Sequence, residues 1–543
     1  MTGGEAAAAA LESLGVEHVF GIVSVHNIPI YDAIARRGAI RLVPCRHEQG
    51  AVHAADGYAR ATGRLGVAIT STGPGAANAV SGLYEAAFAS SPVLMLTGQV
   101  ESRFYGKGKG FLHEAERQLD MLRTVTRRAD SVRRAADIAA TIHQVATDIR
   151  TGRAQPGAVE IPIDFQYAQI DVDLPTPAEP GRQVPDPAAV AAAVELLAAA
   201  ERPVIWAGGG VVAAGAGPTL AALAERLGAP VVTSLAGRGS VPEDHELCVG
   251  AFATQRPVAA VLAEADALLA VGARFQAGET RNWSLPLPPR LVHLDADPGV
   301  IGRSYPAEIA IVADARLALE AVAAALPDRL AVDPGFTERA IKAGHEARAA
   351  ARDLIGPDHA AVMDAIRELA PRATNIVRDA TVPAYLWADR LLPVYEPRTS
   401  IRPTSAAIGP GLPLGIGAAI GSGRPTVVIH GDGGLMLSIG ELATIAQERP
   451  PIVVCVFNDR GYGVLRAIEA RQFDGRQVGV DLATPDFAAL AAAVGMNGER
   501  VEGVPGFRAA FARAIESGAP ALLDIDMSSL APMGMFGPPR RPA

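Results

Sequence analysis

Residues 431–458 hold the most specific chemistry in this chain. Gly431-Asp432-Gly433-Gly434 closes one apolar run, and 24 residues separate Gly433 from Asn458, which ends a second run, Ile452–Phe457. Gly431 and Gly433 let backbone N–H groups approach a phosphate with no side chain in the way. Asp432 offers a hard carboxylate oxygen and Asn458 a neutral amide oxygen. Mg²⁺ takes few protein oxygens and completes its shell from phosphates and water. A strand–helix–strand unit of this spacing brings two parallel strand ends together, where open α/β sheets bind ligands. The pattern reads as a clamp for a metal and a diphosphate. The plain alternative is a Gly-rich turn in an ordinary βαβ unit.

Such a clamp needs parallel sheets to hold it, and the chain repeats one grammar three times. A short β-branched run, a Gly-containing turn and an Ala/Leu-rich helical stretch follow one another, which implies parallel strands with crossover helices. The expected class is α/β with three doubly wound parallel-sheet domains. The first, 1–170, has strands expected at Val19–Val23, Arg41–Cys45, Val67–Thr70, Val93–Thr97 and Ala158–Ile161. A Pro- and acid-rich linker follows. The second, 188–325, has Pro203–Ala207, Pro230–Ser234, Ala267–Val271 and Leu291–Asp295; a helical or linking stretch leads on. The third, 360–530, has Ile376–Asp379, Thr426–His430, Ile452–Asn458 and Ala521–Asp526. Residues 531–543 form a Pro-rich tail, read either as a lid over a site or as a fraying end.

Bulk properties exclude several classes. The 543 residues carry a net charge of −9 with no basic run, which argues against a nucleic-acid partner. No apolar stretch of about 20 residues exists to span a bilayer. The Ala6–Ala10 run lacks a basic leader and reads as helix, not as a signal peptide. Cys45, Cys248 and Cys455 are scattered within or beside apolar runs, as buried thiols in a reducing compartment. A cytoplasmic enzyme acting on a small molecule is the expectation.

The GDGG–Asn-Asp pattern, with Gly461-Tyr462-Gly463 after it, resembles the signature of thiamine-diphosphate (ThDP) enzymes. "RHEQGAVHAADGYARATGRLGVAITSTGPGAANAVSGL" and "AIGPGLPLGIGAAIG" extend the resemblance over nearly the whole chain, to the acetolactate synthase, 2-oxo acid decarboxylase and benzaldehyde lyase group. It implies a pyrimidine-binding, a central nucleotide-type and a diphosphate-binding domain, in that order. It implies that Glu48 hydrogen-bonds the cofactor's aminopyrimidine, so that the cofactor itself removes the thiazolium proton. Read alone, Glu48 is a helix-N-terminal acid favoured by the macrodipole. Ile408 matches the apolar wedge that bends the cofactor; its plain alternative is a core isoleucine. Mg²⁺ would take Asp432, Asn458 and the Arg460 carbonyl. Thr381, Gly431, Gly433, Gly434, Asn458 and Tyr462 would contact the cofactor's diphosphate end. In the family the residues matching Glu48 and Asp432 that share one cofactor come from different subunits, which implies a homodimer or homotetramer.

The branch within the group is less directly written. "PIYDAI", "PVVTSLAGRGSVPEDHELCVG" and "VHLDADPGVIGRSYP" resemble acetolactate synthase catalytic subunits. That family follows "GARF" with two acids and an arginine that grips the second substrate's carboxylate. Here Gln276-Ala277-Gly278 stands there, and Ile468 replaces an acceptor-reading tryptophan. Arg281 or Arg466 are the candidate substitutes. Ser24-Val25-His26 replaces a Gly-Gly turn, as in benzaldehyde-lyase-type sites, and His113 matches a cofactor-facing glutamine. Two imidazoles suit proton transfer to or from a 2-oxo acid or 2-hydroxy carbonyl compound. Otherwise His26 caps a turn and His113 lies on a helix surface. His47, His53 and His430 read as scaffold. Gly208-Gly209-Gly210 and Asp295-Ala296-Asp297 resemble flavin or nucleotide contacts, so FAD is a further candidate cofactor and a pyruvate-oxidase-type oxidoreductase a further reading.

Overall fold

The computed structural model describes residues 1–171, 174–328 and 330–534. Its eighteen strands form three six-stranded sheets. The first holds β1 (His18–Gly21), β2 (Arg41–Pro44), β3 (Gly66–Thr70), β4 (Val93–Gln99), β5 (Arg128–Ser131) and β6 (Gly157–Pro162). The second holds β7 (Pro203–Ala207), β8 (Val231–Thr233), β9 (Cys248–Gly250), β10 (Ala267–Val271), β11 (Leu291–Asp295) and β12 (Ile309–Val312). The third holds β13 (Asn375–Arg378), β14 (Ser400–Ile401), β15 (Thr426–Gly431), β16 (Ile452–Asn458), β17 (Asn497–Val501) and β18 (Ala521–Asp526).

The strands pair in parallel throughout the three ladders. The first sheet runs β2-β1-β3-β4-β6-β5 and the third β14-β13-β15-β16-β18-β17, the same order at matching positions. The second runs β12-β11-β10-β7-β8-β9, winding both ways from β7. This is the doubly wound α/β class that the alternating pattern implied. The helix Pro334–Leu369 links the second and third sheets and breaks at Gly356-Pro357, where the ring and the missing N–H forbid a straight continuation.

Central strands are buried along their length: β3, β4 and β15 expose nothing. The strands that the apolar runs did not announce are β5, β9, β12, β14 and β17, and each lies at a sheet edge. The first and third domains meet along the helices Glu48–Thr62 and Gly411–Ser422. A Cβ at Gly57 would overlap the Leu414 carbonyl, and one at Gly417 the Ala54 carbonyl. The two helix backbones touch, so the Glu48 helix is seated directly on the domain that carries the GDGG turn. Cys45, Cys248 and Cys455 are free and buried. Among the described residues, no helix is long and apolar enough to cross a membrane. Of the tail read as a lid, residues 531–534 lie against the kink of the linking helix: Ala531 N–H donates to Asp358 and Gly534 N–H to the Leu354 carbonyl. The rest of that tail, 535–543, is outside the described residues.

Candidate active site

β15 and β16 pair in register, with Gly431 opposite Phe457. Their C-terminal ends therefore place Asp432 beside Asn458. Asp432 is fully buried; one oxygen accepts the Gly461 N–H at 2.8 Å, and the other has no hydrogen-bond partner. Burial raises the proton affinity of Asp432, and burial with the neighbouring Asp432 carboxylate raises that of Asp459. A buried acid with one unpartnered oxygen, next to the half-buried Asp459, is a donor set that fits a hard cation. Asn458 Nδ2 donates to Asp524 at 2.9 Å, which fixes the amide, while its Oδ1 accepts the Arg460 N–H at 3.1 Å.

Arg460 holds φ +58. Its carbonyl accepts the Leu482 N–H at 3.1 Å and the Arg466 guanidinium at 3.2 Å. Both lone pairs are occupied, so the carbonyl would enter a metal shell only by releasing one of these donors. Thr381 and Tyr462 flank the turn: a Cβ at Gly431 would lie 2.7 Å from Thr381 Oγ1, and one at Gly433 would lie 2.8 Å from the Tyr462 ring. Gly434 is packed against Asp379 and His430.

Asp379, at the end of β13, is a residue the sequence reading passed over. Its carboxylate accepts N–H bonds from Gly409 and Gly411 at 2.9–3.0 Å. Those bonds set the turn that presents Ile408, which is 38% exposed and so available to a ligand. Asp524 and Glu441 were passed over as well. An acid inside an apolar strand, as in Leu522-Leu523-Asp524, was the available signal for the first. Glu441 left none, because the groups it joins to the Glu48 helix, the Arg46 and His47 N–H, come from another domain.

Glu48 opens its helix, and His47 caps it by accepting the Gln49 N–H at 3.1 Å. Asn78 Nδ2 donates to Glu48 Oε2 at 3.0 Å. A Cβ at Gly75 would lie 3.0 Å from Glu48 Oε1 and 2.8 Å from the Ser71 Cβ. Ser71 Oγ is in turn 3.5 Å from His113 Nδ1. His113 and His26 face one another with ring centroids 5.2 Å apart. One cluster thus joins Glu48, Ser71, His113 and His26 at the C-terminal edge of the first sheet.

Both bland readings of the histidines give way. The turn at 24–27 is closed by Asn27, whose Oδ1 accepts the Ser24 N–H at 2.7 Å; the Nδ1 of buried His26 has no partner. His113 lies in a loop, not on a helix, at φ +61. A non-glycine in that region is a site of strain. Burial, then the nearby His113, lowers the pKa of His26. His53 and His430 are buried scaffold, as expected, His430 holding the Gly431 carbonyl at 3.0 Å. Neither candidate arginine is free. Arg281 donates to the Thr254 carbonyl, and Arg466 to the Asp459 and Arg460 carbonyls and to Asp481.

In the second sheet, Gly208-Gly209-Gly210 is closed by the turn after β10. A Cβ at Gly208 would overlap the Gly272 carbonyl. A crevice beside β7 and β8 is lined by Trp206, Thr233, Glu279 and Arg390 among others.

Comparison with known proteins agrees with this geometry. Residues 1–121 match the thiamine pyrophosphate enzyme N-terminal TPP binding domain, 190–322 the central domain, and 383–525 the C-terminal TPP binding domain. A probable 2-ketoarginine decarboxylase of Pseudomonas aeruginosa is 37% identical over 91% of this chain and 88% of its own length. A probable acetolactate synthase large subunit of Methanocaldococcus jannaschii is 33% identical, with 99% and 94% covered. An acetolactate synthase large subunit of Corynebacterium glutamicum is 34% identical, with 92% and 82% covered. The chain belongs to the thiamine pyrophosphate enzymes, in the group that holds acetolactate synthases and 2-oxo acid decarboxylases.

Proposed function

We propose that this enzyme uses ThDP with Mg²⁺ to decarboxylate a 2-oxo acid, and that a proton rather than a second carbonyl compound ends the cycle. The observation that carries this reading is the facing pair His26 and His113, 5.2 Å apart in the half-site that contains Glu48. Bound ThDP supplies a carbon nucleophile and an electron sink for the carbons next to the carbonyl. The chain supplies the rest. Asp432 and Asn458 would hold the metal, which would neutralise the diphosphate's charge. Ile408 would lie against the cofactor as an apolar support. Glu48 would hold the aminopyrimidine through a hydrogen bond. His26, whose pKa burial lowers, and His113 move protons at the substrate carbon and oxygen.

Three features favour protonation over acetolactate synthesis. Arg281 and Arg466 are spent on internal carbonyls, Gln276-Ala277-Gly278 carries no cation, and Ile468 stands where a tryptophan reads the acceptor in acetolactate synthases. The Pseudomonas relative named as a decarboxylase points the same way. Decarboxylation ended by a proton involves no net change of oxidation state, so the scheme calls for no flavin. A homo-oligomer is part of the proposal: Tyr84, Ile408, Leu437 and Leu465 are exposed apolar side chains that a second copy would cover.

The test is a panel of 2-oxo acids and 2-hydroxy ketones with ThDP and Mg²⁺, products followed by NMR. CO₂ and a free aldehyde are the expected result. Acetolactate from pyruvate would replace this reading with the carboligase one. Aldehyde release from a 2-hydroxy ketone alone would make the enzyme a lyase.

A further inference from the structure

Glu160 lies on β6 with no exposed surface. Its carboxyl gathers groups from before, within and after the segment 100–117. Oε1 accepts from Gln118 Nε2 at 2.8 Å and from Gln99 Nε2 at 3.2 Å, and Oε2 accepts from the Tyr105 hydroxyl at 3.2 Å. Gln99 ends β4, directly before the segment. Gln118 opens the helix directly after it. Tyr105 lies inside it. Gln118 then passes the constraint on: its Oε1 accepts the Gly73 N–H at 2.6 Å and the Thr72 hydroxyl at 2.9 Å. Gly73 packs beneath His113, where a Cβ would overlap the His113 carbonyl.

Segment 100–117 contains no helix or strand of its own. It nevertheless holds His113 at φ +61 against His26. A strained backbone persists only where its surroundings over-determine it. Buried polar networks that are fully partnered specify one arrangement where apolar packing would allow several. The network under His113 converges on one carboxyl.

We propose that Glu160 is a positioning residue, whose carboxyl holds His113 opposite His26 by closing both ends of segment 100–117 onto the Thr72–Gly73 turn. This rests on the reading of His113 as a proton-handling group.

The test uses the ThDP- and Mg²⁺-loaded enzyme carrying Glu160→Gln, Tyr105→Phe and His113→Ala, singly and combined. Tyr105→Phe removes one link and keeps the ring, so it guards against a Glu160→Gln protein that folds poorly. Two quantities are read: backbone amide exchange over 100–117, by mass spectrometry, and kcat and KM for the 2-oxo acid that turns over fastest in the panel. The expected result is faster exchange in both Glu160→Gln and Tyr105→Phe. Their kcat falls by about ten- to a hundredfold, the cost of a misplaced group, with KM within about twofold. Combined with His113→Ala, neither adds a further loss. Unchanged exchange, or losses that multiply with that of His113→Ala, would overturn the proposal. A fully active His113→Ala would remove the reading of His113 and this inference together. A slow His113→Ala beside wild-type Glu160→Gln and Tyr105→Phe would remove this inference alone.

Discussion

Glu441, in the third domain, accepts the backbone N–H of His47 in the first at 3.1 Å, one residue ahead of Glu48. The same oxygen takes the Arg46 N–H at 3.0 Å, and the Thr444 hydroxyl donates to the other at 2.6 Å. The start of the Glu48 helix is therefore set by a side chain 394 positions away. Glu441→Ala leaves two partly buried N–H groups without an acceptor, at about 1–3 kcal/mol each. It should lower the thermal midpoint and slow hydrogen–deuterium exchange at the cofactor's C2. Glu48→Gln is the benchmark: exchange should fall by orders of magnitude and the midpoint should stay. A Glu441→Ala protein with a lower midpoint but wild-type C2 exchange would refute this cross-domain positioning.

Asp432 carries the only expected metal ligand with a buried oxygen left unpartnered among the described residues. Asp432→Ala should abolish the Mg²⁺ dependence of ThDP binding in titration calorimetry. Chelating the metal from the native enzyme should weaken ThDP binding to the same level. Equal ThDP affinity in native and variant protein, with and without Mg²⁺, would rule out the clamp.

Asp379 reaches Ile408 through the backbone alone. Asp379→Asn exchanges one acceptor oxygen for a donor and loosens the Gly409–Gly411 turn. ThDP should bind about tenfold more weakly, equal to about 1.4 kcal/mol. Fluorescence titration of the apoenzyme measures this directly, and an unaltered Kd would mean that the turn holds itself.

His53, inside the Glu48 helix, is pushed down to about 4 by burial. Its folded pKa is below the unfolded one, near 6.5. The stability it contributes is thus present above pH 6.5 and is lost as pH falls through 4. By pH 4 the loss amounts to about 3 kcal/mol. His53→Gln should flatten the acid side of the denaturation midpoint against pH between 6.5 and 4. A variant whose acid slope matches the native protein would show that other groups carry it.

The class of fold and the family could be read from the amino-acid sequence. Central parallel strands are buried on both faces and must be continuous apolar runs, so β7, β10, β11, β16 and β18 stand in the structure at the bounds their runs announce. The Asp432–Asn458 pairing was legible for the same reason, since each residue follows from where a buried strand stops. The edge strands β5 and β17 read Arg-Ala-Asp-Ser and Asn-Gly-Glu-Arg-Val; with one side open to water they need no such run, and only their neighbours make them strands. Tertiary structure alone decided what sequence-distant groups do to one another. It set His113 in a strained loop against His26, placed Glu441 under the Glu48 helix, and tied Arg281 and Arg466 to neighbouring carbonyls. A local pattern records the periodicity of one element, whereas a hydrogen bond between elements depends on where two strands end in space, and that is fixed only when the sheets pack.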